Sequence, residues 1–414
     1  MSISYRRHQL ENGLRLLVHE DFTTPLAACN LIYNVGSRDE DPNRTGIAHL
    51  FEHYMFCGSK NIPDYDTPLQ KIGAINNAYT GQDHTHYYII LPANNLETAL
   101  WLESDRMLEL AFLQQGLDTQ KQVVIEEFKE TCLNRPFGDM WSGFHDFVFE
   151  KYPYKWMPIG KEPAHIESVT MDVMKDFYYR FYRPNNAVLV IGGNVHFDEV
   201  VELVEKWFGE IPSGPDASKH FEEEPEQTAA RETVLYRKVP FPMLLKAWKM
   251  PERSHPDFYA FDLLSDLFGN SQSSYLCKKF VVDEPLFTDL SLTVSGAAGP
   301  GILSLVARPN DGVDISEANR RINDFLYNEF RFSEQLTRDL QKVKNRNESA
   351  MMSSEIKLDS RTSILAVSES ISSADDFAND EARYQAVSET QIQRLFHDYV
   401  RPERDCTMFY MNED

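Results

Sequence analysis

The stretch "AHLFEHYMF", residues 48–56, places two histidines and a glutamate within five positions. On an α-helix, residues four apart share one face, and the residue three along sits beside them. His49 and His53 therefore turn their imidazoles towards one point, with the Glu52 carboxylate next to it. Ile47, Leu50, Phe51 and Met55 recur near helical spacing, which predicts a helix over 44–57. The order H-x-x-E-H reverses the H-E-x-x-H pattern, in which two histidines hold a metal and the glutamate acts as base. A plain histidine pair on a helix surface is the competing reading, and a third ligand decides between them.

A zinc hydrolase needs three protein ligands and an open position. The best candidate lies in "QKQVVIEEFKETC". Val124, Glu127, Phe128 and Thr131 follow i, i+3, i+4, i+7, which is an apolar stripe with a carboxylate in it. Such a carboxylate is costly unless it is paired or bound to a metal. Glu126 instead shares its face with Gln122, Lys129 and Glu130, a solvated face. Glu127 is therefore the candidate third ligand. Zinc brings the pKa of bound water down to about 7, and a neighbouring glutamate can take that proton and pass it to a leaving amine.

The 414 residues are enough for two domains, and 42% hydrophobic with 12% aromatic content supplies real cores. A net charge of −23 leaves no basic footprint for nucleic acid, and it disfavours a membrane surface. No apolar run reaches the length of a membrane-spanning helix. Five widely spaced cysteines without a CxxC pair read as free thiols in a reducing compartment. The N-terminal residues lack an apolar signal core, so the expected location is cytoplasmic, or periplasmic if a signal has been removed.

Along the chain, 13–19 and 26–35 read as strands, 94–111 and 118–134 as helices, with Asp118 or Thr119 as N-cap. "HTHYYIIL" and "AVLVIGG" have strong β character, and helices follow at 170–182 and 197–208. Residues 211–232, rich in Pro, acidic and small side chains, read as a linker. The expectation is two α+β domains, 1–210 and 233–414, with a similar order of elements.

Several blocks together resemble the pitrilysin/insulysin family of inverted-zincin metallopeptidases: "VGSRDEDPNRTGIAHLFEHYMFCGS" (35–59), "INNAYTGQDHTHYYIILPANNLETALWLESDRM" (75–107), "KQVVIEEF" (121–128), "YPYKWMPIG" (152–160) and "YRPNNAVLVIGGNV" (182–195). Length and layout resemble its short class, which includes the mitochondrial processing peptidase subunits and many bacterial peptidases. The resemblance implies one zinc per chain on His49, His53 and Glu127, with Glu52 as general base. It implies two homologous domains, each a mainly antiparallel sheet packed with helices, forming half of a clam-shell chamber. It also implies that Asn77, Ala78, Tyr79 and Thr80 lie on an edge strand that receives a peptide substrate.

Two departures stand out. The family usually has a glutamate where this chain has Gln120, a site that orients the ligands. Active members also use an Arg and a Tyr seven residues apart in the C-terminal domain, where this chain has Phe280 and Phe287. Lys279 lies one residue off, and Arg320 with Tyr327 repeats the spacing on a different segment. The resemblance therefore points to a zinc metalloendopeptidase subunit whose paralogous partner supplies the Arg/Tyr pair, or otherwise to a homodimer. The alternative is a non-catalytic structural or peptide-binding subunit of the same fold.

Overall fold

The run Ala187–Gly193 is buried at every residue, which a one-sided sheet would not produce. In the computed structural model, which describes residues 3–217 and 220–413, this strand lies inside a sheet covered on both faces. Leu189 and Ile191 point into one apolar cluster, while Val188 and Val190 join Leu17, Ile32, Leu365 and Ala366 in another. Each such side chain contributes about 1.5–3 kcal/mol by leaving water.

The sheet has six strands in the order β1-β2-β6-β3-β5-β4. They are β1 (Arg6–Gln9), β2 (Arg15–Glu20), β3 (Leu26–Tyr33), β4 (Ile75–Thr80), β5 (Thr85–Pro92) and β6 (Ala187–Gly193). Only the β2–β6 pair is parallel. One face packs against α1 (Ile47–Tyr54), α2 (Leu96–Leu108), α3 (Gln114–Phe128), α4 (Met171–Phe181) and α5 (Phe197–Phe208). The other is covered over β2, β3 and β6 by α6 (Leu358–Ile371). At the edge, β4 alternates between exposed and half-buried residues.

The second unit holds five strands in the order β7-β11-β8-β10-β9: β7 (Arg231–Arg237), β8 (Met243–Met250), β9 (Phe287–Ser295), β10 (Gly301–Pro309) and β11 (Cys406–Asn412). Here too a single pair is parallel, the outer pair β7–β11, and the rest are antiparallel. Helices Phe258–Gly269, Leu336–Ser354 and Glu389–Tyr399 fill its core.

A single cut in the linker does not separate the two units. The first comprises 1–130, 156–221 and 351–379; the second comprises 131–155, 222–350 and 380–414. Each takes a segment from the other half of the chain because that segment's apolar or polar face is completed there. Leu365 and Ala366 complete the apolar cluster on the other face of the first sheet, while Asp139 accepts from Tyr410 at 2.5 Å and Arg237 at 2.7 Å in the second unit. Within 212–230 the described residues form no helix or strand, yet Glu224 is pinned by the backbone N–H groups of Glu150, Lys151 and Tyr152.

Local boundaries moved in two places. Helix α1 is shorter than 44–57 because Gly46 precedes it at φ +90°, where a Cβ would lie 2.7 Å from Ile166. Helix α3 starts at Gln114, so Asp118 and Thr119 lie inside it and neither caps it. Asp118 instead accepts from the Gln114 side chain one turn earlier.

Candidate metal centre

Helix α1 buries Leu50, Phe51 and Tyr54 in the first core and leaves His49 and His53 partly open on another side. Its N-terminus is held by Glu40, which is buried and accepts from the N–H groups of Gly46 and Ala48, both at 2.9 Å. The Trp156 indole donates to the same carboxylate at 3.0 Å. Burial pushes Glu40 up to about 8 against those three donors. Sequence reading missed Glu40, although an acidic residue shortly before a helix start is a recognisable anchor.

Three donor atoms converge. The Nε2 atoms of His49 and His53 stand 3.2 Å apart, and Glu127 Oε2 lies 3.8 and 3.6 Å from them. This is the one group among the described residues able to hold a metal through three His, Cys, Asp or Glu side chains. Tetrahedral zinc, with bonds of about 2.0–2.2 Å, sets its ligand atoms about 3.3–3.6 Å apart, so the triangle fits the ion. Burial, with help from His53, lowers His49 to about 4 and keeps its imidazole neutral as a ligand must be.

Glu127 reaches this point from α3, with Val124 and Phe128 buried beside it. It is not itself buried, since 39% of its side chain is exposed. Glu126 points away, 67% exposed and paired with Lys129. Gln120, two turns before Glu127, is a hydrogen-bond partner of the Cys57 thiol.

Glu52 is 9% exposed and accepts from Thr80 Oγ1 at 2.6 Å. Burial lifts its carboxyl to about 7, the Glu127 charge adds to that, and the Thr80 bond opposes it. Thr80, expected at the substrate strand, thus also holds Glu52. Asn77, Ala78 and Tyr79 lie on the same edge strand, where the Ala78 N–H donates to Asn77 Oδ1.

The family description "Insulinase (Peptidase family M16)" matches residues 15–135, and "Peptidase M16 inactive domain" matches 168–340. This chain belongs to the M16 peptidase family. The Helicobacter pylori "Zinc protease PqqE" is 31% identical over 278 residues, which is 66% of this chain and 62% of that protein. The Caenorhabditis elegans "Mitochondrial-processing peptidase subunit beta" is 28% identical over 51% of this chain and 46% of its own length. The matches thus span about half to two thirds of these relatives. A crystal structure of a protease from Helicobacter pylori shares the fold with a TM-score of 0.91 at 24% identity, over 99% of this chain and 100% of that one.

The second M16 unit carries no comparable cluster among its described residues. Phe280 and Phe287 are 0% and 1% exposed, in contact with each other in its core. Lys279 is paired with Glu284. Arg320 is exposed and bonds Glu317, whereas the Tyr327 hydroxyl donates to Asp405 at 2.8 Å, so these two do not act as a pair. All five cysteines are free thiols, and no described helix is long and apolar enough to cross a membrane.

Proposed function

We propose that this chain is a zinc metalloendopeptidase subunit that hydrolyses peptides or unfolded polypeptides. The observation that carries this reading is the convergence of His49, His53 and Glu127 beside a buried Glu52 whose carboxyl is raised to about 7. When bound, zinc supplies Lewis-acid polarisation and acidifies water. Glu52 takes the proton of the attacking water and delivers it to the departing amine, and a carboxyl near neutrality suits both tasks. Thr80 fixes the orientation of Glu52.

The peptide adds to the open edge of β4 by backbone hydrogen bonds, along Asn77, Ala78, Tyr79 and Thr80. A folded globular substrate cannot present such a strand. Because core phenylalanines occupy 280 and 287, a paralogous chain supplies the Arg and Tyr that grip the substrate, and the two chains enclose it in a chamber. Retention of all four zinc and base residues weighs against a purely structural or peptide-binding subunit. The test is cleavage of a quenched peptide library by this chain alone and with its paralogue, with zinc content measured on the same samples. Zinc without cleavage in either sample rejects the hydrolase. Full activity from the chain alone rejects the split site.

A further inference from the structure

On β5, Tyr87, Ile89 and Leu91 enter the first core, so His86, Tyr88 and Ile90 face the opposite way. Their register partners on β4 are Tyr79, Asn77 and Ile75. Helix α6 covers this face over β2, β3 and β6 but leaves Tyr79 43% and Ile75 66% exposed. Between the covered and open parts runs a chain of hydrogen bonds. The Tyr79 hydroxyl lies 3.1 Å from His86 Nδ1, and His86 Nε2 lies 2.9 Å from Asn30 Oδ1. The Asn30 amide donates to Thr362 Oγ1 at 2.8 Å, and Ser363 Oγ donates to Asn30 Oδ1 at 3.1 Å.

The protons in this chain can be assigned from its far end. Thr362 commits its own proton to the carbonyls of Leu358 and Asp359, at 3.0 and 3.1 Å, so it can only accept from Asn30. That turns Asn30 Oδ1 towards His86 as an acceptor. His86 is fully buried, and burial together with His84 lowers it to about 3, so it is neutral and carries a single N–H. That N–H is on Nε2, facing Asn30, which leaves Nδ1 bare. Nδ1 then accepts a hydrogen bond from the Tyr79 hydroxyl.

We infer that Tyr79 meets the bound peptide only as a hydrogen-bond acceptor, with His86 as the positioning residue that fixes this, and that the site selects substrates bearing a donor side chain where they pass Tyr79. This inference rests on the reading of β4 as the peptide-receiving strand. An apolar or acceptor side chain at that place leaves the phenol oxygen without a partner, whereas Ser, Thr, Asn, Gln or a cationic residue satisfies it.

Two readouts test it on the full chain. The first needs no activity: ¹⁵N-histidine NMR, with the His86 signals assigned by their loss in His86→Phe. The expected result is a neutral ring protonated on Nε2, whose Nδ1 resonance moves in Tyr79→Phe. A proton on Nδ1 would make Tyr79 a donor and overturn the inference. The second scans a cleaved peptide with Thr or Val at each position. One position is expected to favour Thr in kcat/KM by about three- to tenfold, and Tyr79→Phe, a half-exposed change that leaves the core intact, to bring that ratio to unity. Cleavage with no such position, or a preference that survives Tyr79→Phe, overturns the inference while leaving the hydrolase intact. Absence of any cleavage with zinc bound rejects the hydrolase instead, and the position of the His86 proton still decides the assignment.

Discussion

The two sheets share one plan and differ in what they do with it. Strands β2-β6-β3-β5-β4 and β7-β11-β8-β10-β9 have the same parallel outer pair followed by antiparallel neighbours, and β1 is an addition to the first. In each, a helix follows the central strand β3 or β8 in the sequence. In the first unit that helix, α1, carries His49, Glu52 and His53. In the second it is Phe258–Gly269, buried at nearly every residue with Phe258, Phe261, Leu264 and Phe268 in the core. The plan itself is chemically neutral, and a handful of side chains decides whether a copy makes a site or only a core.

The largest expected effects fall on the candidate metal ligands. His49→Ala or Glu127→Ala is expected to lose stoichiometric zinc and to reduce peptide cleavage by at least about 10⁴-fold, read by metal analysis and kcat/KM. Glu52→Gln removes the proposed base but none of the three candidate ligands, so kcat is expected to fall about 10²–10⁴-fold while zinc content is unchanged. Loss of zinc from that variant would mean that Glu52 belongs to the ligand set.

In the second unit the expected effects are on stability. Phe280→Ala opens a cavity and costs about 3–5 kcal/mol in denaturant unfolding. Phe280→Arg buries an unpaired charge and destabilises further without conferring activity on the chain alone. A stable, active Phe280→Arg protein would show that this position faces substrate after all.

Smaller effects sharpen the difference within α3. Gln120→Glu is expected to change zinc affinity less than about tenfold, measured by chelator competition, because the partner of Gln120 is Cys57. Glu126→Ala removes only a solvent-exposed pair with Lys129 and should alter stability by less than about 0.5 kcal/mol, with zinc retained. The contrast with Glu127→Ala isolates the helical phase as the cause.

Much of the fold was legible because it is periodic. The strands at 26–33 and 187–193 and the helices at 171–181 and 197–208 fall where apolar spacing predicts them. The start of α3 was not legible, since Leu113 stands at its N-cap and makes no side-chain cap bond. The unit boundaries were also hidden, because the partner face of Leu365 is formed by Leu17, Ile32 and Val188, far away in sequence. His86 could have been noticed as the outward residue in "HTHYYIIL", but nothing local marks Asn30 or Thr362 as its continuation.

The sequence alone singled out the residues of the candidate centre. Spacings of three and four translate directly into one helix face, and the choice of Glu127 over Glu126 follows from the same 3.6-residue turn. That these faces meet is a tertiary result, with α1 and α3 bringing the Nε2 and Oε2 atoms to 3.2, 3.6 and 3.8 Å from one another. The tertiary structure also decided the bond between Thr80 and Glu52 and the pairing of the Tyr79 hydroxyl with His86. A helix phase is a property of the adjacent backbone, whereas a hydrogen-bond partner is set by whichever distant segment buries its apolar face alongside.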